Sequence, residues 1–200
     1  SETEEAQLAA LCVQHAIPVR TVRKGDTIAL AGASLHVLHP DPAWAGASNP
    51  NNRSVVCRLD WSGGSLLLTG DIERPVETAL CGPDCRSDVL KVPHHGSSTS
   101  STGPFLDAVT PQYALVSTGP WRGRDPVSPQ VLERHRERGI TVLRTDRHGG
   151  IRIPLRKQSF TVEAARLQRN YPVIGGGDPG ASPIAPDAAI EYPAAKQALH

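Results

Sequence analysis

The sequence contains no methionine, few aromatic residues and no long apolar run. Because translation begins at methionine and this chain begins at Ser1, we expect a piece of a longer gene product. Aromatic residues make up only 4% of the 200 residues, which disfavours a large aromatic-lined pocket. No signal peptide is visible, and no apolar run approaches the roughly 20 residues that a membrane helix requires.

Cysteine is also scarce, and its spacing excludes a zinc finger. Cys81 and Cys85 are separated by three residues, but no second pair of cysteines or histidines follows at a suitable distance. The simpler interpretation is one thiol at a helix end and one in a loop, with a short-range disulfide as the alternative. The formal net charge of +1 does not by itself select a partner.

The hydrophobic pattern that is present predicts an α/β layered domain. An amphipathic helix near the amino terminus is followed by antiparallel strands, and then strands alternate with helices. Pro75 falls in the first turn of the helix predicted at 72–80, where proline is tolerated. We predict a domain over residues 1–160. Residues 161–200 are rich in glycine, proline and alanine without any period, which predicts a flexible tail.

Polar side chains follow two successive strands of this pattern. The segment SLLL ends at Thr69-Gly70-Asp71, DVLKV is followed by Pro93-His94-His95-Gly96, and one helix connects them. A right-handed crossover between parallel strands brings both ends to one edge of the sheet, so we expect Asp71 to lie near His94 and His95. A carboxylate and an imidazole together suit a divalent metal such as zinc or manganese. The alternative is an ordinary turn aspartate and two loop histidines.

The stretches LLLTGDIERPVETAL and DVLKVPHHGSSTSS resemble the metallo-β-lactamase fold found in the carboxy-terminal domain of ComEC-type DNA-uptake proteins. Three further stretches are similar to that family in the same order: residues 51–56, 105–119 and 141–151. The resemblance covers roughly 28–153. It implies part of a metallo-β-lactamase-like αββα sandwich, whose amino-terminal part is missing from the chain.

The resemblance also implies roles for three residues of the two strand ends. Asp71 would bridge two divalent ions, zinc or manganese, His95 would complete one coordination sphere, and His94 would contact the substrate or support a ligand. All three would be catalytic. The implied reaction is hydrolysis of a phosphodiester bond of DNA during uptake.

Five further residues are candidates for binding the substrate: Ser97, Ser98, Thr99, Arg122 and Arg124. The three hydroxyls stand where they could bond a phosphate oxygen, although loop solubility and helix capping are the plainer interpretation. Residues 121–157 contain ten Lys and Arg against four Asp and Glu, so a cationic face could attract a polyanion. A solvated helix with internal ion pairs is the alternative.

Two departures from the family leave other functions open. Its leading His-x-His-x-Asp-His motif is absent and would lie upstream of Ser1, while Arg124 and Asp125 replace a histidine that the family often shows. The alternatives are a binding module for DNA or a partner chain without catalysis, or a stand-alone hydrolase of small esters. His148 could line the site, but a turn histidine is the simpler interpretation.

The resemblance further implies a bacterial inner-membrane protein with DNA and its own transmembrane channel portion as partners, and no small-molecule cofactor. We expect the chain itself to be soluble and, lacking several ligands, to be inactive when isolated.

Overall fold

The computed structural model describes residues 2–119, 125–156, 159–165 and 190–193, with side chains in 6–119, 125–156 and 159–165. The predicted α/β class is confirmed by a seven-stranded mixed sheet in which the strands are ordered as they occur along the chain. Its strands are β1 Thr27–Leu30, β2 Ala33–His39, β3 Val56–Trp61, β4 Gly64–Leu68, β5 Val89–Lys91, β6 Tyr113–Val116 and β7 Thr141–Arg144.

The first half of the sheet is antiparallel. β1 to β4 form a meander, and the tight β3–β4 turn at Gly63 pairs Trp61 with Gly64. These are the strand pairs predicted from alternating apolar residues and Gly-containing turns. β2 carries an irregularity between Val37 and His39, where it pairs with the start of β3.

The second half of the sheet is parallel, because a helix returns the chain after each of β4, β5 and β6. The helices are α2 Arg74–Leu80, α3 Gly103–Val109 and α4 Pro129–Glu137. Each has a proline in its first turn, where the missing N–H would in any case have no partner within the helix. The carboxyl ends of β4 and β5 therefore lie at the same edge, as predicted.

Alternate residues of the parallel strands pack on opposite faces of the sheet. Leu67, Leu90 and Ala114 lie in a buried cluster with apolar residues of α2, α3 and α4. Val89 and Tyr113, on the other face, lie in a second cluster. Both faces are covered, which explains why these strands read as nearly continuous apolar runs.

A three-stranded antiparallel sheet covers the second face. It consists of β8 Ile151–Arg152, β9 Ser159–Ala164 and β10 Ile190–Pro193. Phe160 of β9 is buried and contacts Trp61 and Tyr113 edge to face, with ring centroids 5.9 and 6.3 Å away. Backbone atoms of Arg156 and Ser159 lie close to Gly63 at the β3–β4 turn.

The boundary predicted between residues 160 and 161 falls inside β9. The alternation of buried Phe160 and Val162 continues the strand beyond the predicted domain end. Residues 190–193 of the predicted tail form β10 and pair with β9. The remaining tail residues, 166–189 and 194–200, lie outside the described residues.

Two further α-helices are described: α1 Glu2–Gln14 and the single turn α5 Thr145–His148. Helix α1 is where the sequence predicts it, and its Leu8 and Leu11 are exposed. None of the helices in the described part of the chain is both long and apolar enough to span a bilayer. All four cysteines are free thiols, so Cys81 and Cys85 form no disulfide.

Candidate active site

The ends of β4 and β5 converge at one edge of the sheet. The backbone N–H of His94 donates to the carbonyl of Gly70 at 3.2 Å, which ties the two strand ends together. Asp71 Oδ1 lies 3.6 Å from His95 Nε2, and both side chains reach solvent, with 40% and 57% of their surfaces exposed. Of the two histidines, His95 therefore lies next to Asp71, as the sequence predicts.

The histidine pair has an unusual backbone conformation. His94 (φ 46°, ψ 43°) and His95 (φ 53°, ψ 21°) are both left-handed, and Gly96 follows with φ 83°. Each non-glycine residue in this region costs about 1–3 kcal/mol, and such strain persists where the surrounding structure imposes it. The turn is closed by the N–H of Ser97, which donates to the His94 carbonyl at 2.9 Å.

The hydrogen bonds of His95 fix its tautomer. Its Nδ1 lies 2.7 Å from the carbonyl oxygen of Ser117, and because a carbonyl oxygen only accepts, Nδ1 carries a proton. In the neutral ring, Nε2 then presents a lone pair toward the Asp71 carboxylate. Two facing acceptors repel unless a proton or a cation lies between them. A histidine that ligates a metal commonly donates its other ring N–H to a backbone carbonyl in this way.

His94 faces a different carboxylate, that of Glu73. Its Nδ1 is buried and lies 3.4 Å from Glu73 Oε1, but without hydrogen-bond geometry. Glu73 Oε1 accepts a hydrogen bond from Asn51 Nδ2 at 3.1 Å. That bond is the largest effect lowering the pKa of Glu73, and burial opposes it. Glu73 is thus an ionised neighbour of the histidine pair.

The turn at 49–54 positions both acids. Ser54 Oγ accepts the N–H of Asp71 at 3.1 Å, and Asn52 Oδ1 accepts the N–H of Glu73 at 3.0 Å. Asn52 is itself buried, and its carbonyl oxygen lies 2.9 Å from Nε2 of buried His39. Sequence reasoning assigned no role to Glu73, Asn52 or Ser54; the position of Glu73 directly before α2 was the available signal.

Lys91 is a further residue near the site that the sequence did not single out. It ends β5, and its Nζ donates to the Val92 carbonyl at 2.8 Å. Burial lowers the pKa of Lys91, while the charge of Asp71 partly opposes that shift. The carbonyl of Lys91 accepts from Thr69 Oγ1 at 2.7 Å, which adds a second link between the two strand ends.

The hydroxyl residues after the histidine pair divide into an exposed and a buried group. Ser98 and Thr99 are exposed, Ser97 is partly so, and Ser97 Oγ lies 3.1 Å from Thr99 Oγ1. Ser100 is buried, and its Oγ lies 2.9 Å from the carbonyls of Pro93 and Ser97. Ser97, Ser98 and Thr99 can reach a ligand, and their contacts with a phosphate remain a prediction. Ser100, in contrast, stabilises the turn through its two hydrogen bonds.

This loop at 97–101 is also held from two helices. Glu77 of α2 is fully buried, and its two carboxylate oxygens accept the N–H groups of Ser101 (2.5 Å) and Thr102 (2.8 Å). Arg134 of α4 donates from Nη2 to the Ser100 carbonyl at 2.8 Å. Side chains of α2 and α4 therefore stabilise the loop that follows the strained histidine turn.

Asp125, which replaces the histidine expected from the resemblance, has a structural role. Both its oxygens lie 2.9 Å from the guanidinium of buried Arg144, which also binds Asp146. Burial alone would raise the pKa of Asp125, but its hydrogen bonds to Arg144 and Val127 lower the pKa overall. Arg122 and Arg124 lie outside the described residues.

His148 ends α5, and its Nδ1 lies 2.9 Å from the Arg144 nitrogen and 3.0 Å from the Arg144 carbonyl oxygen. This agrees with its interpretation as a turn histidine, since the ring contacts the backbone of its own turn.

The described residues suit a divalent ion in kind but not in number. Asp71 Oδ1 and His95 Nε2 are donors of the required type at 3.6 Å from each other. However, within 6–119, 125–156 and 159–165 no three His, Cys, Asp or Glu side chains are grouped so that they could hold a metal. Asp71 and His95 thus amount to part of a ligand set.

No family model matches the chain. The chain is 32% identical over 156 residues to ComE operon protein 3 of Bacillus subtilis, which covers 76% of this chain. It is 37% identical over 124 residues to competence protein ComA of Neisseria gonorrhoeae, covering 60% of this chain. It is 31% identical over 137 residues to recombination protein 2 of Haemophilus influenzae, covering 68%.

Among solved structures, a proposed metal-dependent hydrolase from Parabacteroides distasonis aligns with a TM-score of 0.41 at 16% identity, over 66% of this chain and 59% of that one. The matches to the three curated relatives span only 20%, 18% and 17% of their own lengths. The chain belongs to the family of ComEC-type competence proteins and corresponds to about a fifth of their length.

Proposed function

We propose that this chain is part of a hydrolase domain that cleaves phosphodiester bonds of DNA during its uptake. The observation that carries the proposal is the 3.6 Å approach of Asp71 and His95, with the free ring nitrogen of His95 facing the carboxylate. Membership of a competence family supports DNA as the substrate. The full protein would be bound to the inner membrane, with this domain next to its channel portion.

In this proposal Asp71 and His95 are two ligands of a site for two divalent ions, zinc or manganese. When bound, such ions lower the pKa of coordinated water to about 7 and neutralise charge on the phosphodiester. The remaining ligands come from outside the described residues. Ser117 holds the His95 ring in the tautomer that leaves Nε2 free, and Ser54 fixes the backbone of Asp71.

In this proposal His94 and Glu73 are neighbours of the Asp71–His95 pair and are not metal ligands. The carboxylate of Glu73 lies 3.4 Å from His94 Nδ1, and in this proposal the His94 ring faces the anionic substrate. Ser97, Ser98 and Thr99 lie beyond His94 and offer hydroxyl donors to a phosphate oxygen.

The test is hydrolysis of labelled DNA by the complete protein, together with its metal content. His95→Ala and Asp71→Ala are expected to lower both, with hydrolysis falling by at least about 100-fold, the upper end for loss of a residue that merely supports a ligand. His36→Ala is the control, because His36 lies in β2 and contacts Asp60 instead. The isolated 200-residue chain is expected to be inactive.

A binding module without catalysis is the second candidate. It is favoured by the incomplete ligand set of the described residues and by Asp125, whose carboxylate is engaged with Arg144. Less than one equivalent of divalent ion in the complete protein, with unchanged function in Asp71→Ala, would establish this candidate and exclude the hydrolase.

A further inference from the structure

The described site holds two carboxylates. Asp71 and Glu73 lie there beside His95 and His94, and the nearby Lys91 directs its Nζ to the Val92 carbonyl. A polynucleotide carries one negative charge for every phosphate, so its backbone cannot approach two carboxylates without cations beside them. If the proposed function holds, some side chains near this edge must bind the phosphates that flank the reacting one.

Arg53 lies on one side of the site. It ends the short 3-10 turn Pro50–Arg53 and is exposed. The next residue, Ser54, accepts the N–H of Asp71, and Asn52 before it accepts the N–H of Glu73. The backbone of Arg53 is thereby fixed beside both acids.

Arg74 lies on another side of the same site. It is the first residue of α2, directly after Glu73, and it is exposed. Its N–H donates to the carbonyl of Thr99 at 3.2 Å, which places it beside the exposed hydroxyls of the 97–101 loop. Arg53, at the end of a 3-10 turn, and Arg74, at the start of α2, thus lie next to the acids in two different elements.

Neither guanidinium forms an ion pair with a carboxylate of the described residues, whereas many other arginines there do. Ion pairs hold Arg58, Arg136, Arg138, Arg144, Arg147 and Arg152. Arg74 also lies close enough to Arg134 for its charge to help lower the pKa of Arg134, after the larger effect of burial. Glu77 partly offsets this effect on Arg134, whereas the exposed Arg53 and Arg74 have no ion-pair partner in the described residues and are available to bind an anion.

We propose that Arg53 and Arg74 bind backbone phosphates of a polynucleotide on either side of the Asp71–His95 pair. The proposal rests on the function proposed above and adds the residues that hold the substrate. Because the contacts are to phosphates, the binding does not depend on base sequence. The scarcity of aromatic residues agrees with this, since base stacking requires them.

The experiment measures binding of a fluorescein-labelled single-stranded oligonucleotide to the chain by anisotropy, in EDTA, over a series of salt concentrations. Each phosphate contact to a single strand contributes about 0.7 to the slope of log K against log salt. Arg53→Ala and Arg74→Ala are each expected to reduce the slope by about 0.7, and the double variant by about 1.4.

Arg86→Ala is the matched control, because it removes the same charge from an exposed arginine before β5, at the opposite edge of the sheet. The proposal is overturned if the three single variants change the slope equally, or if the chain does not bind the oligonucleotide at low salt. Melting temperatures close to that of the unchanged chain show that the variants are folded.

Failure of the proposed function would look different. Binding in EDTA requires no metal, so the slopes would still separate Arg53 and Arg74 from Arg86 if the complete protein left DNA uncleaved.

Discussion

Gly96 follows the two left-handed histidines, and its own φ is 83°. A Cβ added there would lie 2.7 Å from Cγ1 of Val127, a buried residue of the core that includes α4. The position therefore demands glycine for two separate reasons, conformation and space. Two adjacent histidines alone therefore do not specify this turn, because it also requires the glycine that follows them.

Gly96→Ala is expected to lower the free energy of unfolding by about 2–4 kcal/mol, of which about 1–2 is left-handed strain and the rest overpacking. The matched control is Gly32→Ala, since Gly32 has φ 79° but open space around its Cβ position. Urea unfolding of both variants separates the two causes. Equal losses of unfolding free energy in the two variants would show that Val127 can move aside without an energetic cost.

The residues of the site differ in how far the sequence predicts them. Asp71 and His95 are predictable in position, because each follows an apolar strand and the crossover rule brings the two ends together. Glu73, Asn52 and Ser54 are not, since they act through the shape of the loop at 49–54, which has no periodic pattern. The metal roles of Asp71 and His95 stay a prediction.

Among the elements, α2 links the site to the rest of the helical layer. Glu73, directly before α2, and Arg74, its first residue, lie beside the site. Glu77, one turn later, accepts two backbone N–H groups just before α3. Burial raises the pKa of Glu77, whereas these hydrogen bonds lower it. One short helix thus positions both the acid beside His94 and the loop that follows the histidines.

Glu77→Ala leaves two buried N–H groups without an acceptor and is expected to cost about 2–3 kcal/mol. Because the folded pKa lies above the ordinary 4.5, the stabilisation by Glu77 is fully present below pH 4.5 and decreases as the pH rises through the raised value. The loss is therefore larger below pH 4.5 than near neutrality. Chemical denaturation at both pH values measures it.

The control for Glu77→Ala is Glu133→Ala, which removes an exposed carboxylate that pairs with Arg136 within α4. Exposed pairs of this kind contribute little. A loss as large as that of Glu77→Ala would contradict the capping role of Glu77.

The elements themselves were largely predictable from periodicity. The i, i+4, i+8 spacing of Ile72, Val76 and Leu80 predicted α2, and Ile72 and Val76 are indeed buried. The burial of Glu77, directly after Val76, was not predictable, because its partners are backbone groups 24 and 25 residues away. Apolar patterns report which face is buried, but not which polar group is buried with it.

For the whole molecule, the second sheet covers one face of the main sheet and includes residues beyond the predicted domain boundary. Phe160 of β9 seals the face of the main sheet opposite the helices by contacting Trp61 and Tyr113. Composition alone placed the domain end at residue 160, because the glycine- and proline-rich stretch dominates the region after it. The short alternation of Phe160 and Val162 was outweighed by that composition.

Phe160→Ala is expected to cost about 3–5 kcal/mol and to lower the melting temperature by about 10 °C. Leu155→Ala is the control, because Leu155 pairs with Phe160 through an isolated bridge but is half exposed. Its loss should be about 0.5 kcal/mol. Similar losses of unfolding free energy in the two variants would mean that packing of Phe160 against the main sheet does not stabilise the core.

Gly63 sits at the tip of the β3–β4 turn, and its φ lies outside the left-handed region that favours glycine. A Cβ at this position would lie 2.6 Å from the carbonyl oxygen and 2.8 Å from the nitrogen of Ser159. The requirement for a bare backbone at this tip is thus imposed by a segment nearly a hundred residues downstream. A backbone shift near Ser159 would change which side chains fit at position 63, and a side chain at position 63 would displace the backbone of Ser159. The two positions should therefore be varied together in any redesign of this protein.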